Sequence, residues 1–182
     1  MTPLPLLTEI ALAALVVVAA VYDIRFRRIP NWLVVAGFCL GLTFSVFFHR
    51  VDGLISALLG AVLALIVYLP FFALRAMGAG DVKLMIAIGA FVGAKNWLIL
   101  FLITAILGGI LALCLLLIRG GLIRAFKNVL FILGELVRLR PPYQSDPALD
   151  VAHPRAVTLP HGVSIALGTL VFLLLEFIPA SQ

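Results

Sequence analysis

The apolar residues of this chain fall into six runs that polar residues separate. The runs cover approximately 4–22, 32–48, 54–74, 82–93, 97–118 and 158–178. A helix needs about 20 mostly apolar residues to cross a bilayer, and only the fourth run is clearly shorter than that. The pattern therefore predicts an all-α, polytopic integral membrane protein with six transmembrane helices, built as a single membrane-embedded domain over 1–182.

The composition excludes an ordinary soluble domain. The chain is 64% hydrophobic and only 12% charged, and its mean hydropathy is +1.26; one soluble domain could not bury that much apolar surface. The first run carries Glu9, has no basic segment before it and is followed by further runs, so we expect a permanent helix and not a cleaved signal peptide. Cys39 and Cys114 have no second Cys or His at metal-ligand spacing, so we expect neither a disulfide nor a metal site.

The positions of Lys and Arg predict how the chain is oriented. Of the 13 basic residues, all except Arg50 and Lys95 fall in the odd-numbered connections. Loops rich in Lys and Arg remain in the cytoplasm, so these connections are predicted to be cytoplasmic and both termini external. The net charge of +5 then reflects topology and attraction to the membrane surface, and it gives no reason to expect a nucleic-acid partner.

The longest predicted cytoplasmic loop, 119–157, contains an amphipathic segment. Over 122–137 the apolar residues recur at helical spacing, which is typical of a helix lying in the membrane interface. An extension of the fifth transmembrane helix explains the same pattern equally well, with Gly120 and Gly121 at the junction. An irregular loop is predicted after it from four prolines: Pro141, Pro142, Pro147 and Pro154.

Two aspartates are predicted to lie at the same cytoplasmic membrane boundary. Asp23 ends the first run and Asp81 precedes the fourth. Ionisable groups at membrane depth are costly and usually functional. Two neighbouring carboxylates do not both ionise easily, so one can act as a base while the other keeps its proton. Such a pair can activate water for attack on a peptide carbonyl without a cofactor, which predicts the catalytic centre of an aspartic protease.

The glycines around the second aspartate suit that chemistry. Gly78 and Gly80 lack Cβ atoms, so we expect unusual backbone dihedrals there and close approach of an extended peptide. Asp81 would open a helix, whose dipole favours an anion at that end. Gly89 and Gly93 share the same helix face, and we expect the first helix to pack on this smooth surface and so bring the other aspartate across.

The sequence around the two aspartates is also compatible with roles other than catalysis. Asp23 could pair with neighbouring arginines at the headgroups, and Asp81 could cap a helix beside Lys83. A proton-coupled transporter could use both acids as a relay, although we would expect it to hold them near mid-membrane. A non-catalytic subunit of a pilus or secretion machine would leave both acids replaceable.

Three segments together form a pattern more specific than a GxGD string. They are Asp23 followed by RRIPNW at 27–32, GAGDVKL at 78–84, and LPHGVSIA at 159–166. In this order they resemble the type IV prepilin peptidases, a family of GxGD aspartic membrane proteases. The first connection is short and lacks cysteine, so the chain resembles the short form without the methyltransferase segment, which is associated with tight-adherence (Flp) pili.

The resemblance implies an aspartic endopeptidase that removes the basic leader of prepilins or pseudopilins at the cytoplasmic face of the bacterial inner membrane. It implies that Asp23 and Asp81 are catalytic, that Gly78 and Gly80 shape the site, and that no cofactor is needed. The expected partners are the substrate and the lipid bilayer. Supporting roles are expected at five further positions: Lys83, Pro30, Asn31, Pro160 and Gly162.

The presenilin and signal-peptide-peptidase group is the nearest rival among proteases, because it shares the Tyr22-Asp23 pair and the GxGD string. We expect that group to differ by having more spans and a Pro-Ala-Leu motif late in the chain.

Overall fold

The computed structural model describes residues 4–118, 122–137 and 161–177. The described residues form five helices: α1 (Leu6–Phe26), α2 (Asn31–Ala73), α3 (Ala79–Ile118), α4 (Leu122–Val137) and α5 (His161–Phe177). Three of them, α1, α2 and α3, are long and apolar enough to cross a membrane, and α5 is a shorter apolar helix. The all-α fold class is therefore confirmed for this part of the chain. The count of six spans and the external N-terminus stay predictions.

Both of the longest helices are interrupted near their middle. A straight helix of 43 residues, the length of α2, would extend about 65 Å, roughly twice the thickness of a hydrocarbon core. Arg50 (φ 52°, ψ −132°) interrupts α2, and Gly93 (φ 72°, ψ 170°) interrupts α3. The breaks fall where the sequence predicts connections between apolar runs. They divide the two helices into α2a (31–49), α2b (51–73), α3a (79–92) and α3b (94–118).

The two halves of α2 form an antiparallel hairpin. Gly53, just after the break, lies so close to Ser45 that a Cβ would overlap the Ser45 carbonyl group. The Ser45 hydroxyl in turn donates a hydrogen bond to the Ala90 carbonyl oxygen (3.1 Å), which ties α2a to α3a. The hairpin and α3 form the most extensive helix–helix contact among the described residues.

The glycine face of α3a packs against α2b. A Cβ on Gly89 would lie 2.6 Å from the carbonyl carbon of Gly60, so the two backbones are in direct contact. The prediction that α1 covers this face is wrong, because α1 packs mainly against α5. The physical reason is that Gly60 gives α2b a matching smooth surface, and helices in lipid associate where small residues let backbones approach.

Replacing Gly60 by Ala is expected to destabilise the helix bundle by about 1–3 kcal/mol, because an overpacked contact forces backbone shifts. A Cβ at this position would overlap the Gly89 carbonyl oxygen. The loss should appear as a lower thermal unfolding midpoint in detergent. Gly109→Ala is the matched control, since a Cβ at Gly109 meets no atom within 4 Å. Equal midpoints for the two variants would contradict the proposed backbone contact.

An aromatic cluster locks α3b onto the rest of the bundle. Trp97 stacks on Phe101 with ring centroids 5.4 Å apart, and Tyr68 of α2b meets both rings edge-on. The Trp97 indole N–H donates to the Met85 carbonyl oxygen (3.1 Å), which holds α3b against α3a. The cluster therefore holds the first turns of α3b against α2b.

The outer surface of the bundle is apolar, as expected of a protein in lipid. Exposed large side chains occur along all the long helices, among them Leu6, Val35, Ile66, Leu102 and Leu174. The helix predicted over 122–137 is present as α4, and it also exposes apolar side chains: Ile123, Phe126, Val129 and Leu130. Its location in the membrane interface stays a prediction.

Candidate active site

A tight turn joins α1 to α2 at one end of the bundle. Arg27 ends α1 in the left-handed conformation (φ 53°), and its N–H donates to the Asp23 carbonyl oxygen (2.9 Å). Pro30 precedes α2 with φ −68° and ψ 138°, an extended conformation that proline favours. Between them, Ile29 is buried. The turn is thus held firmly, with Asp23 one helical turn before it.

The GxGD segment forms the start of α3 directly beneath that turn. The Gly78 carbonyl oxygen accepts hydrogen bonds from the N–H groups of Asp81 (3.2 Å) and Val82 (3.4 Å), so Gly78 initiates the helix. A Cβ on Gly80 would lie 3.2 Å from Cβ of Ile29, and a Cβ on Gly78 would lie 3.2 Å from Oδ2 of Asp81. Both glycines therefore make room for their neighbours.

The expectation of unusual dihedrals at these glycines is wrong. Among the described glycines, Gly93 is the one with a positive φ. Gly78 and Gly80 are needed for space and not for backbone freedom: the first leaves room for a carboxylate, and the second lets the α1–α2 turn lie on α3.

Asp23 is held by the first turn of α5. Its side chain is 8% exposed, and its Oδ2 accepts a hydrogen bond of 2.8 Å from the Gly162 N–H. A carboxylate at a helix N-terminus is stabilised by the free N–H groups and by the helix dipole, which offsets the cost of its burial. A Cβ on Gly162 would lie 2.9 Å from both Cβ and Oδ2 of Asp23. Only glycine fits there without a shift.

Both aspartates open into one cavity of about 680 Å³, which we call the cleft. It lies where α1 ends and α3 begins. Its lining consists of Tyr22, Asp23, Phe26, Arg27, Arg28, Ile29, Pro30, Asn31, Gly78, Ala79, Gly80 and Asp81. Asp81 is partly buried and interacts electrostatically with both Asp23 and His161. Two residues that are far apart in the sequence thus present their carboxyl groups to one solvent-accessible space.

This arrangement can perform acid–base chemistry on a bound water. Two carboxyl groups in one cleft can share a proton, so that one accepts a proton from water while the other donates one. Within the described ranges, no group of three or more His, Cys, Asp and Glu residues is arranged to hold a metal ion. The structure instead brings two carboxyl groups into one cleft, and an aspartic peptidase uses two carboxyl groups.

A comparison with protein-family models matches residues 10–113 to the type IV leader peptidase family. The match extends over more than half of the chain and includes both aspartates. The chain belongs to this family. Membership implies an aspartic-type peptidase and confirms the family that the three sequence segments predict. No curated protein and no solved structure matches the chain.

The matched region of the leader peptidase family ends before α5 begins. The contact of Asp23 with Gly162 is therefore an observation of the structure alone. The Pro-Ala-Leu tripeptide expected only of the presenilin group also occurs in this chain, at 147–149. The expectation that this tripeptide is absent here is therefore wrong, and the family match, not the tripeptide, separates the two groups.

The predicted supporting residues have different placements. Lys83 donates a hydrogen bond from Nζ to Oδ1 of Asn31 (2.9 Å), which joins the first turns of α3 and α2 beside the cleft. Pro30 and Asn31 line the cleft, and Gly162 contacts Asp23 directly. Pro160 lies outside the described residues.

Replacing Lys83 by Met is expected to slow substrate cleavage only about fivefold, because an exposed hydrogen bond of a charged group contributes little more than 1 kcal/mol. The bond positions the walls of the cleft and does not touch the aspartates. Initial cleavage rates would measure the effect, and Lys83→Arg should recover part of it. A loss as large as that of an aspartate variant would instead assign Lys83 to the chemistry.

The sequence alone does not predict that His161 lies beside the aspartates. Its pattern indicates no more than a histidine at a helix end. In the structure it is the first residue of α5 and interacts electrostatically with Asp81. The adjoining Gly162 holds the other aspartate. The sequence feature that could have indicated this is the position of His161 directly before Gly162 in the segment LPHGVSIA, 159–166.

Proposed function

We propose that this protein is a prepilin peptidase, an aspartic endopeptidase that removes the leader from prepilins or pseudopilins at the cytoplasmic face of the bacterial inner membrane. The observation that carries the proposal is that Asp23 and Asp81, from separate helices, line one cleft, in a chain of the type IV leader peptidase family. The family match and the apolar helices around the cleft support this substrate class.

In the proposed reaction the two aspartates act on one water molecule. One carboxylate takes a proton from the water, which then attacks the carbonyl carbon of the scissile peptide bond. The protonated partner polarises that carbonyl oxygen and later supplies the proton on which the amine leaves. The two products are the free leader and the pilin with a new N-terminus. No cofactor enters the proposed reaction.

The distribution of charge supports the cytoplasmic location of the cleft. Arg27 and Arg28 line it, and Arg25, Arg75 and Lys83 occupy the neighbouring ends of α1, α2 and α3. Basic residues at a membrane boundary favour the cytoplasmic side. The opposite end of the bundle, at the breaks of α2 and α3, carries Arg50 and Lys95.

The proposal is tested with purified protein and a full-length prepilin in lipid vesicles. We expect a shortened pilin on a gel, a released leader, and a new N-terminus found by mass spectrometry. An intact substrate after prolonged incubation with folded enzyme would overturn the proposal. Proton-driven uptake into enzyme-containing vesicles, without any cleavage, would favour the transporter instead.

A further inference from the structure

A second cavity, of about 360 Å³, lies behind the cleft between α2b, α3b and α5. We call it the apolar groove. Its lining consists of Tyr68, Phe71, Met77, Phe101, Thr104, Ala105, Gly108, Gly109, Ala112, His161, Ser164 and Ile165. Most of these residues are aromatic, aliphatic or glycine. The apolar groove therefore differs in chemistry from the cleft, which Asp and Arg side chains line.

Residues that are neighbours in the sequence line the two cavities. Met77 lines the apolar groove and the next residue, Gly78, lines the cleft. His161 likewise lines the apolar groove, and the next residue, Gly162, donates its N–H to Asp23 in the cleft. The apolar groove therefore lies next to the two aspartates: His161 interacts electrostatically with Asp81, and Gly162 binds Asp23.

The floor of the apolar groove is a smooth strip of α3b. Ala105, Gly108, Gly109 and Ala112 are spaced by three and four residues and so share one helix face. A Cβ on Gly109 would meet no atom within 4 Å, and one on Gly108 would approach Ser164 only to 3.6 Å. Among the described residues, none covers this face at Gly109. Faces of this kind let a second helix approach closely within a bilayer.

We propose that the apolar groove binds the start of the apolar helix that follows the scissile bond of the substrate. This inference rests on the proposed function. The resemblance to the prepilin peptidases implies a substrate with a basic leader before the cut and an apolar helix after it, and the cleft and the apolar groove offer these two environments side by side. A lipid chain could fill an apolar cavity anywhere on the bundle, whereas this one is lined by His161, which interacts electrostatically with Asp81 and adjoins the glycine that binds Asp23.

Gly109→Leu tests the proposal, because a Cβ at this position meets no atom within 4 Å and the larger side chain can extend into the apolar groove. We expect KM for a full-length prepilin to rise about tenfold while kcat changes less, as when a binding contact is lost. Cys114→Leu is the matched control. Cys114 is an exposed residue of α3b that does not line the apolar groove, so this variant should retain the wild-type KM.

Cross-linking gives a readout that does not depend on the rate. The enzyme carries Gly109→Cys, Cys39→Ser and Cys114→Ser, together with Asp81→Asn to keep the substrate intact. The prepilin carries a single cysteine, moved along the first two turns of its apolar helix. We expect a disulfide at one or two of these positions, separated by a helical turn. An enzyme with Gly109 and native Cys114 should form none.

The outcomes separate the two proposals. If the wild-type enzyme cleaves the prepilin but Gly109→Leu has an unchanged KM and Gly109→Cys forms no cross-link, the apolar groove does not bind the substrate and the proposed function stands. The same result is expected if only lipid occupies the cavity. If the wild-type enzyme does not cleave the prepilin, both proposals fail.

Discussion

Asp23→Asn and Asp81→Asn are each expected to reduce prepilin cleavage by at least about 10⁴-fold, because each removes one partner of the proposed proton exchange that activates the water. An amide neither accepts the water's proton nor donates one to the leaving amine at neutral pH. Both residues line the cleft, and the described residues that line it include no third carboxylate that could replace either of them. Single-turnover cleavage, followed on gels, would measure the residual rate.

Asp52→Asn is the matched control for these two substitutions. Asp52 is exposed next to the break at Arg50, at the end of the bundle away from the cleft. We expect its cleavage rate to equal that of the wild type. All three variants should insert and unfold like the wild type. If Asp23→Asn or Asp81→Asn still cleaves at the normal rate, the proposed catalytic pair is wrong. That result would favour a non-catalytic subunit of a pilus or secretion machine.

Gly162→Ala is expected to lower kcat/KM about 100-fold, because a displacement of a catalytic group by about 1 Å can cost that much. The added methyl group would lie 2.9 Å from both Cβ and Oδ2 of Asp23, so either the carboxyl group or the start of α5 must move. The hydrogen bond of 2.8 Å that now holds Asp23 would be distorted in both cases. Steady-state kinetics with a full-length prepilin would measure the loss.

Gly134→Ala separates this effect from a general cost of losing a glycine. Gly134 lies exposed in α4, and a Cβ there would meet no atom within 4 Å. Its kinetics should be unchanged. If Gly162→Ala also retains the wild-type kcat/KM, then the contact between α5 and Asp23 does not position the carboxyl group for catalysis.

Two strong local signals made much of the fold predictable. Runs of apolar residues marked the helices, and the polar positions around Arg50 and Gly93 marked the interruptions of α2 and α3. In the structure each pair of runs forms two helical segments joined at one non-helical residue, Arg50 in α2 and Gly93 in α3. Asp23 and Asp81 were predicted at one end because each lies next to basic residues at a boundary.

The pairing of the helices was not predictable in the same way. The sequence suggested that α1 packs on the glycine face of α3a, whereas α2b covers that face through Gly60. Lipid tails are as apolar as the helices themselves, so the partners are selected by the fit of their surfaces and not by hydrophobicity. That fit involves two helices at once, and the pattern of one helix does not specify it.

By itself, the sequence determined the helical class and the family and predicted two acids as catalytic candidates, because periodicity, charge and short motifs are local features of the chain. The tertiary structure alone decided how Asp23 is held. Its partner, Gly162, is 139 positions away, and their contact exists only because α5 begins where α1 ends. The same packing produced the apolar groove behind the cleft, whose walls come from three helices.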